Sequence, residues 1–370
     1  MESLSIAVQA YIPTVLWGSP GAGKTYYLYA LHRAIDRHLE TIIASIRDPS
    51  DFAGLPVLTQ ADAVRLATPE WARRVIDLAK EGKRSSLFFD EVSTAPPASQ
   101  AGLLRVIHEG VVGDEALPVD DDGNPMVSMV AAANPPEEAA GGWELTPPMA
   151  NRVVHLDWKL NPTAWVEGIV AGFPDPEIRV LPADWRSGIP QARALVASFI
   201  RSHPDQLHAV PKDEAKAGRA WPSPRTWDMV GTALAACEAY GATNEALSEL
   251  VVGCVGEGAG GEFLTHMDNL DLADPEDLLA DPAAFRLPGR GDQQFATLTS
   301  VVQAVIGNLT QPRWEAAWEI LAAAAHQGAV DIAAGSCKRL VAARTAEMPL
   351  PIDQLQPFIP LLSEAGLLTD

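Results

Sequence analysis

Two groups of residues in this chain have the types and spacing that handle phosphate. The first, Gly18-Ser19-Pro20-Gly21-Ala22-Gly23-Lys24-Thr25, fits the pattern G-x-x-x-x-G-K-[ST]. Its glycines permit backbone conformations that aim successive N–H groups at the β- and γ-phosphates of a nucleotide. Lys24 supplies a compact positive charge and Thr25 offers a hydroxyl to Mg2+, whereas Pro20 and Ala22 act as spacers. The second group, Leu87-Phe88-Phe89-Asp90-Glu91, is an apolar run ending in two carboxylates. Asp90 suits a Mg2+ ion that keeps its water shell, and Glu91 suits the orientation or deprotonation of an attacking water. Alone, an apolar strand ending in Asp-Glu is commonly structural. Behind the first motif, with room between them for a helix, a strand and a helix, it reads as a Walker B motif.

The elements that must position these residues can be read from periodicity. Thr14–Trp17, Thr41–Ala44, Leu87–Phe89, Met126–Ala133 and Arg152–Leu156 are short β-branched or apolar runs, alternating with helical patterns as in a parallel α/β sheet. The phosphate motif falls where the first run ends and a helix begins. That helix is expected from about Lys24 to His38, with Leu28, Leu31 and Ile35 on one face. After Asp157 the sequence changes to Ala-rich, helix-spaced segments broken by Pro-rich connections at 171–190 and 211–224, which predicts a separate helical domain.

A third apolar run, Val130-Ala131-Ala132-Ala133, ends in Asn134-Pro135-Pro136, at the carboxyl edge where α/β sheets bind ligands. Together with the two motifs it makes the chain resemble AAA+ ATPases, and within them the MoxR-like group. The resemblance is carried by residues 12 to about 235. It implies that Asn134 is sensor 1, beside the γ-phosphate; read without the family, it is a turn residue before proline. It likewise implies that Arg152, ahead of the fifth strand in LTPPMANRVVHLDW, is an arginine finger acting in trans on a neighbouring subunit. In Trp221-Pro222-Ser223-Pro224-Arg225-Thr226-Trp227 it makes Arg225 sensor 2, touching the γ-phosphate from a lid. The plainer alternatives are a surface cation for Arg152 and, for Arg225, a helix-start arginine stacked on Trp221 or Trp227.

Two insertions sharpen the resemblance. Residues 46–71 carry LPVLT and AVRLA on either side of a polar turn, like a helix-2 insert, and residues 111–130 read as a hairpin around Asp122-Gly123-Asn124, like a pre-sensor-1 hairpin. Relatives direct both toward a pore or partner, so Asp51, Phe52 and Leu55 are candidates for partner contact. The implied architecture is an α/β AAA+ P-loop core with a five-stranded parallel sheet at 1–158, an all-α lid at 159–310 and a helical C-terminal extension at 311–370. The implied activity is Mg2+-dependent ATP hydrolysis, with ATP and Mg2+ as cofactors, by a self-assembled ring, a hexamer, that remodels or loads a partner such as a von Willebrand A domain protein.

Composition bounds the alternatives. With 27 Lys plus Arg against 48 Asp plus Glu, the net charge of -21 repels nucleic acid and argues against a nucleic-acid motor or restriction subunit. An ATP-gated scaffold with little turnover is the other alternative, and it has no need of Glu91, Asn134 and Arg152 together. No run approaches the ~20 apolar residues of a membrane span, and the N-terminus carries no basic leader, so a cytoplasmic protein is expected. Cys237, Cys254 and Cys337 lie in apolar, helix-like contexts and are expected to be buried thiols. Asp268, Asp271, Asp274, Glu276, Asp277 and Asp281 are expected on a solvated acidic loop and helix without EF-hand spacing.

Overall fold

The computed structural model describes residues 1–59, 63–135, 138, 142–270, 272–345 and 348–364. Of the positions singled out above, residues 60–62 of the first insertion, Pro136, Asp271 and the last residues of the C-terminal extension lie outside these.

The chain begins with α1 (Glu2–Gln9), β1 (Thr14–Trp17), α2 (Lys24–Ala34), β2 (His38–Ile43), α3 (Pro49–Ala53), β3 (Leu55–Leu58), β4 (Val64–Ala67) and α4 (Glu70–Lys80). It continues with β5 (Ser85–Asp90), α5 (Pro97–Glu109), β6 (Val111–Val112), β7 (Glu115–Ala116), β8 (Val127–Ala133), α6 (Pro147–Ala150) and β9 (Val154–Asp157). Beyond Asp157 the described residues form helices and connections only: α7 (Pro162–Ala171), α8 (Ile189–Ser202), α9 (Glu214–Ala217), α10 (Pro224–Tyr240), α11 (Asn244–Val255), α12 (Glu257–Asp268), α13 (Pro275–Ala280), α14 (Gly291–Gly307), α15 (Gln311–His326) and α16 (Val330–Ala342), then two short terminal helices. The fold is thus the expected α/β core, a five-stranded parallel sheet followed by helices. None of these helices is long and apolar enough to cross a membrane.

The sheet runs β2-β5-β8-β1-β9, and every neighbouring pair is parallel. All four residues of β1 are buried, as a strand covered on both faces must be, which explains the apolar Val15-Leu16-Trp17; the Thr14 hydroxyl donates to the Ile12 carbonyl. Strand ends differ from the sequence reading by a few residues. Helix α2 stops at Ala34 because Asp36 turns to φ 50 and β2 already begins at His38. Arg152 stands two residues ahead of β9 rather than opening it. Helix α1 was not expected: its residues from Ser3 to Gln9 are all buried, so the one-sided apolar stripe that marks a surface helix is missing.

The first insertion forms the antiparallel hairpin β3–β4, with Leu55 opposite Ala67. Phe52 is not available to a partner. It is 0% exposed and packs against Trp71 and Phe89, ring centroids 6.5 and 6.1 Å away. Asp51 instead closes the start of α3 by accepting from the Asp48 backbone N–H, while Leu55 is exposed. Gly54, at φ 91, is needed there, because a Cβ would lie 2.7 Å from Gly113 Cα. The second insertion is not one hairpin but two small ones. β6 and β7 pair across Gly113-Asp114, and Val119 bridges Pro125 around a loop in which Asp120 Oδ1 accepts from the N–H groups of Asp122 and Asn124.

By compactness the chain divides into one unit of residues 1–185 and 208–261 and a second of 186–207 and 262–370. The first holds the sheet, α10 and α11; Gly253 lets α11 approach β9 so closely that a Cβ would sit 2.4 Å from the His155 carbonyl oxygen. The second is built on Trp314 and Trp318 of α15, both fully buried with rings 5.8 Å apart, packed with Leu298, Val302 and Phe358. In it Glu276 is spoken for by Arg313, at 2.5 Å. All three cysteines are buried, and burial pushes the thiols of Cys237 and Cys337 up to about 12 and that of Cys254 higher still.

Two buried histidines brace the sheet in the neutral form. Trp17 Nε1 donates to His155 Nδ1 at 2.9 Å while His155 Nε2 donates to the Ala150 carbonyl, so a second ring proton has no room. His32 Nδ1 donates to the Leu28 carbonyl and its Nε2 accepts from Ser86. Burial lowers both pKa values to about 4. As pH falls below 6.5 the unfolded chain takes up these protons first, so their contribution is complete above 6.5 and is lost as pH drops through 4. The expected loss is about 2 kcal/mol per histidine at pH 5. Urea unfolding at pH 7 and pH 5 measures it, and His155→Gln, able to accept from Trp17 and donate to Ala150, should show roughly half the decline.

Candidate functional site

The loop after β1 continues the sheet for one more residue, since the Gly18 N–H donates to the Ala133 carbonyl at 3.1 Å. Its glycines serve different ends. Gly21 and Gly23 have open space where a Cβ would go but φ of 73 and 84, so their need is conformational. At Gly18 the need is steric, because a Cβ would meet Trp158 Cβ at 2.9 Å. Gly23 hands over to α2 at Lys24.

Lys24 is 8% exposed. Its three ammonium protons reach the carbonyls of Gly18 (2.5 Å) and Ser19 (3.1 Å) and Asn134 Oδ1 (3.2 Å). Burial lowers its pKa, opposed by the charges of Asp90 and Glu138. The cation is thus held by oxygens that phosphate oxygens could replace. Thr25 Oγ1 donates to Asp90 Oδ2 at 3.1 Å, and the other Asp90 oxygen accepts from the Glu91 N–H at 2.9 Å. Glu91 itself takes a left-handed backbone, φ 58 and ψ 40, a conformation that costs a non-glycine residue energy and clusters at functional sites. Asn134 is fixed through its backbone N–H, which donates to Ser93 Oγ at 3.0 Å. Gly18 to Thr25, Asp90, Glu91 and Asn134 therefore share one edge of the sheet.

Sequence reasoning missed several neighbours. Ser45 donates to Glu91 Oε2 at 2.6 Å; it follows β2 at the same carboxyl edge, a position that could have flagged it. Ser93 carries no sequence signal. Trp158, directly after β9, donates from Nε1 to the Ala22 carbonyl at 2.8 Å and meets the Tyr27 ring edge-on, which ties the next segment of chain to the phosphate loop.

Arg152 and Arg225 are elsewhere. β9 lies parallel to β1 with Val154 beside Thr14, so Arg152 sits at the amino edge and Lys24 at the carboxyl edge, roughly 13 Å of strand apart. Arg225 accompanies Arg152. Asn151 accepts from Ser223 Oγ at 2.7 Å and donates to the Trp221 carbonyl, which fastens the start of α10 to the residue next to Arg152. Burial and then the charge of Arg225 lower the pKa of Arg152; its Nη1 donates to the Pro148 carbonyl, and its buried Nε has no acceptor. His108, on α5, has its pKa lowered by burial and then by both arginines. The structure thus groups Arg225 with Arg152.

No family model matches the chain, and no curated protein does. Among solved structures the chain is similar to that of "a putative ATPase" from Cytophaga hutchinsonii, at 16% identity over 74% of this chain and 89% of that one, with a TM-score of 0.48.

The link from Trp158 to the loop yields a measurable consequence. Trp158→Phe keeps a ring against Tyr27 but removes the hydrogen bond to Ala22, so phosphate-containing nucleotide should bind about fivefold more weakly, the equivalent of about 1 kcal/mol. Titration calorimetry reads this directly, and an unchanged affinity would show that the bond does not hold the loop.

Proposed function

We propose that this chain binds ATP with Mg2+ and hydrolyses it, as a self-assembling AAA+ ATPase of the MoxR-like kind. The observation that carries the reading is the hydrogen-bonded array of Lys24, Thr25, Asp90 and Asn134 at the carboxyl edge of a parallel sheet. Thr25 Oγ1 and Asp90 Oδ2 are the hard oxygen donors that Mg2+ takes, and the bound ion would offset phosphate charge. Lys24 would exchange loop carbonyls for phosphate oxygens. Glu91, adjoining Asp90, would orient or deprotonate the attacking water, with Asn134 beside it.

The arginines support completion of the site by a second copy. Two guanidiniums close enough to act on each other electrostatically, one with a buried Nε lacking an acceptor, favour an anion delivered from outside. The terminal phosphate held by a neighbouring chain is such an anion, and a charge of this kind is worth roughly 10³ to 10⁵ in rate where fingers have been measured. Remodelling of a partner, such as a von Willebrand A domain protein, is the biological role favoured by the MoxR-like resemblance and by the exposed Leu55, Leu58 and Val64 of the β3–β4 hairpin. The net charge of -21 disfavours a nucleic-acid motor.

Lys24→Ala should abolish nucleotide binding, whereas Glu91→Gln should keep binding and lose turnover. Equal binding defects in the two, measured with labelled ATP, would remove Glu91 from the water-activating role. Arg152→Ala should bind ATP and lose on the order of 10³ in turnover. Mixing it with Lys24→Ala under verified subunit exchange should restore some activity, because each supplies what the other lacks. Normal turnover by Arg152→Ala alone would exclude it as the finger.

A further inference from the structure

Within the second compact unit, where α8, the end of α12 and the start of α14 come together, a buried histidine makes two imperfect contacts. His266, on α12, is 5% exposed, and the fully buried Phe199 meets its ring edge-on at 5.5 Å. Its Nε2 lies 3.5 Å from Ser198 Oγ of α8, at the limit of a hydrogen bond. Its Nδ1 lies 3.8 Å from Asp292 Oδ2, beyond that limit. Ser198 already donates its hydroxyl proton to the Asp292 carbonyl at 3.0 Å, so Nε2 must be the donor in the first contact. Neutral His266 therefore leaves a bare Nδ1 facing a carboxylate. Both groups are acceptors, and no bond spans the gap.

That carboxylate is claimed by another cation. Arg290 Nε donates to Asp292 Oδ1 at 3.1 Å and Arg290 Nη2 donates to Oδ2, while the Gln293 N–H reaches Oδ1 at 2.9 Å. Burial pushes the Asp292 carboxyl up, but Arg290 and the Gln293 N–H pull it below the usual carboxylate range, so it stays ionised. The charged and titratable groups facing His266 are Asp292 and Arg290 from the start of α14 and His203 from the turn after α8. His203 stacks on Phe199 with centroids 4.5 Å apart and meets the His266 ring edge-on at 6.1 Å. Burial opposes a charge on His266, Asp292 favours it, and His203 and Arg290 oppose it again; the balance lies below the ordinary value of 6.5.

We propose that His266 is a proton-operated latch in the second unit: neutral, it closes the end of α12 against α8 and α14, and protonated, it favours an opened packing in which the ring reaches water. The latch goes beyond the ATPase reading and does not depend on it. Because the ring takes up a proton more readily once released, its contribution to closure is complete above pH 6.5 and is lost as pH falls below that value. Arg290 arms the latch by occupying Asp292. Without Arg290, the Asp292 charge turns to Nδ1, the buried imidazolium is paired, and acid no longer drives opening.

Hydrogen exchange on the full chain, expressed as protection so that the intrinsic pH dependence of exchange is removed, tests this. Peptides of α8, the end of α12 and the start of α14 should open more often at pH 5.5 than at pH 7.5, by up to about tenfold, the limit for one proton gained on release. Peptides covering β1 and β9 report on the first unit, where His155 titrates, and separate its effect from that of His266. His266→Gln should abolish the difference. Arg290→Gln should shrink it and raise the pH at which the His266 ring protons titrate by NMR. A purely structural ion pair predicts otherwise: Arg290→Gln would then increase opening equally at both pH values and leave the titration where it was. That result, equal protection of the natural chain at both pH values, or a pH dependence surviving in His266→Gln overturns the latch. If His266→Gln does not fold, the Arg290→Gln titration decides, and no upward shift overturns it.

Discussion

A parallel sheet sends the carboxyl end of every strand to one edge, and the arrangement of this protein depends on that constraint. β1 delivers the glycine loop and Lys24, β5 delivers Asp90 and Glu91, β8 delivers Asn134, and β2 delivers Ser45. These residues are far apart in sequence, 110 positions between Lys24 and Asn134, yet no special loop is needed to gather them. The strands do it because they all point the same way.

The same directionality separates the arginines from the phosphate loop. Arg152 enters ahead of β9, at the amino edge, and the Asn151–Ser223 hydrogen bond brings Arg225 to its side. Like charges held together in a partly desolvated place are unfavourable unless an anion is brought to them. No carboxylate is recorded as an ion-pair partner of either arginine among the described residues.

The sheet's own stability draws on polar groups that are fully matched. His32 and His155 each have one ring nitrogen donating and one accepting, which commits them to the neutral form in a protein whose surface is strongly acidic. The aromatic group of Phe52, Trp71 and Phe89 does the corresponding work between the first insertion and β5, and it removes Phe52 from any external role.

Much of this was legible in the sequence where the signal is local. The glycine-lysine loop, the apolar runs of the five strands, the two strands of the first insertion and the switch to helices after Asp157 all follow from residue type and short-range spacing. Helix α1 was not, because burial all round erases the periodicity that marks a helix, and neither was the division of the second insertion into two small hairpins. Tertiary structure decided which side chains meet across long stretches of chain: Ser45 with Glu91, Trp158 with the phosphate loop, Phe52 with the core, and Arg225 with Arg152 rather than with Lys24. The physical reason is that motif spacing records covalent neighbourhood and strand direction, whereas the partner of a side chain at a strand end or helix start depends on which element the packed sheet sets beside it, and on what that packing strips of water.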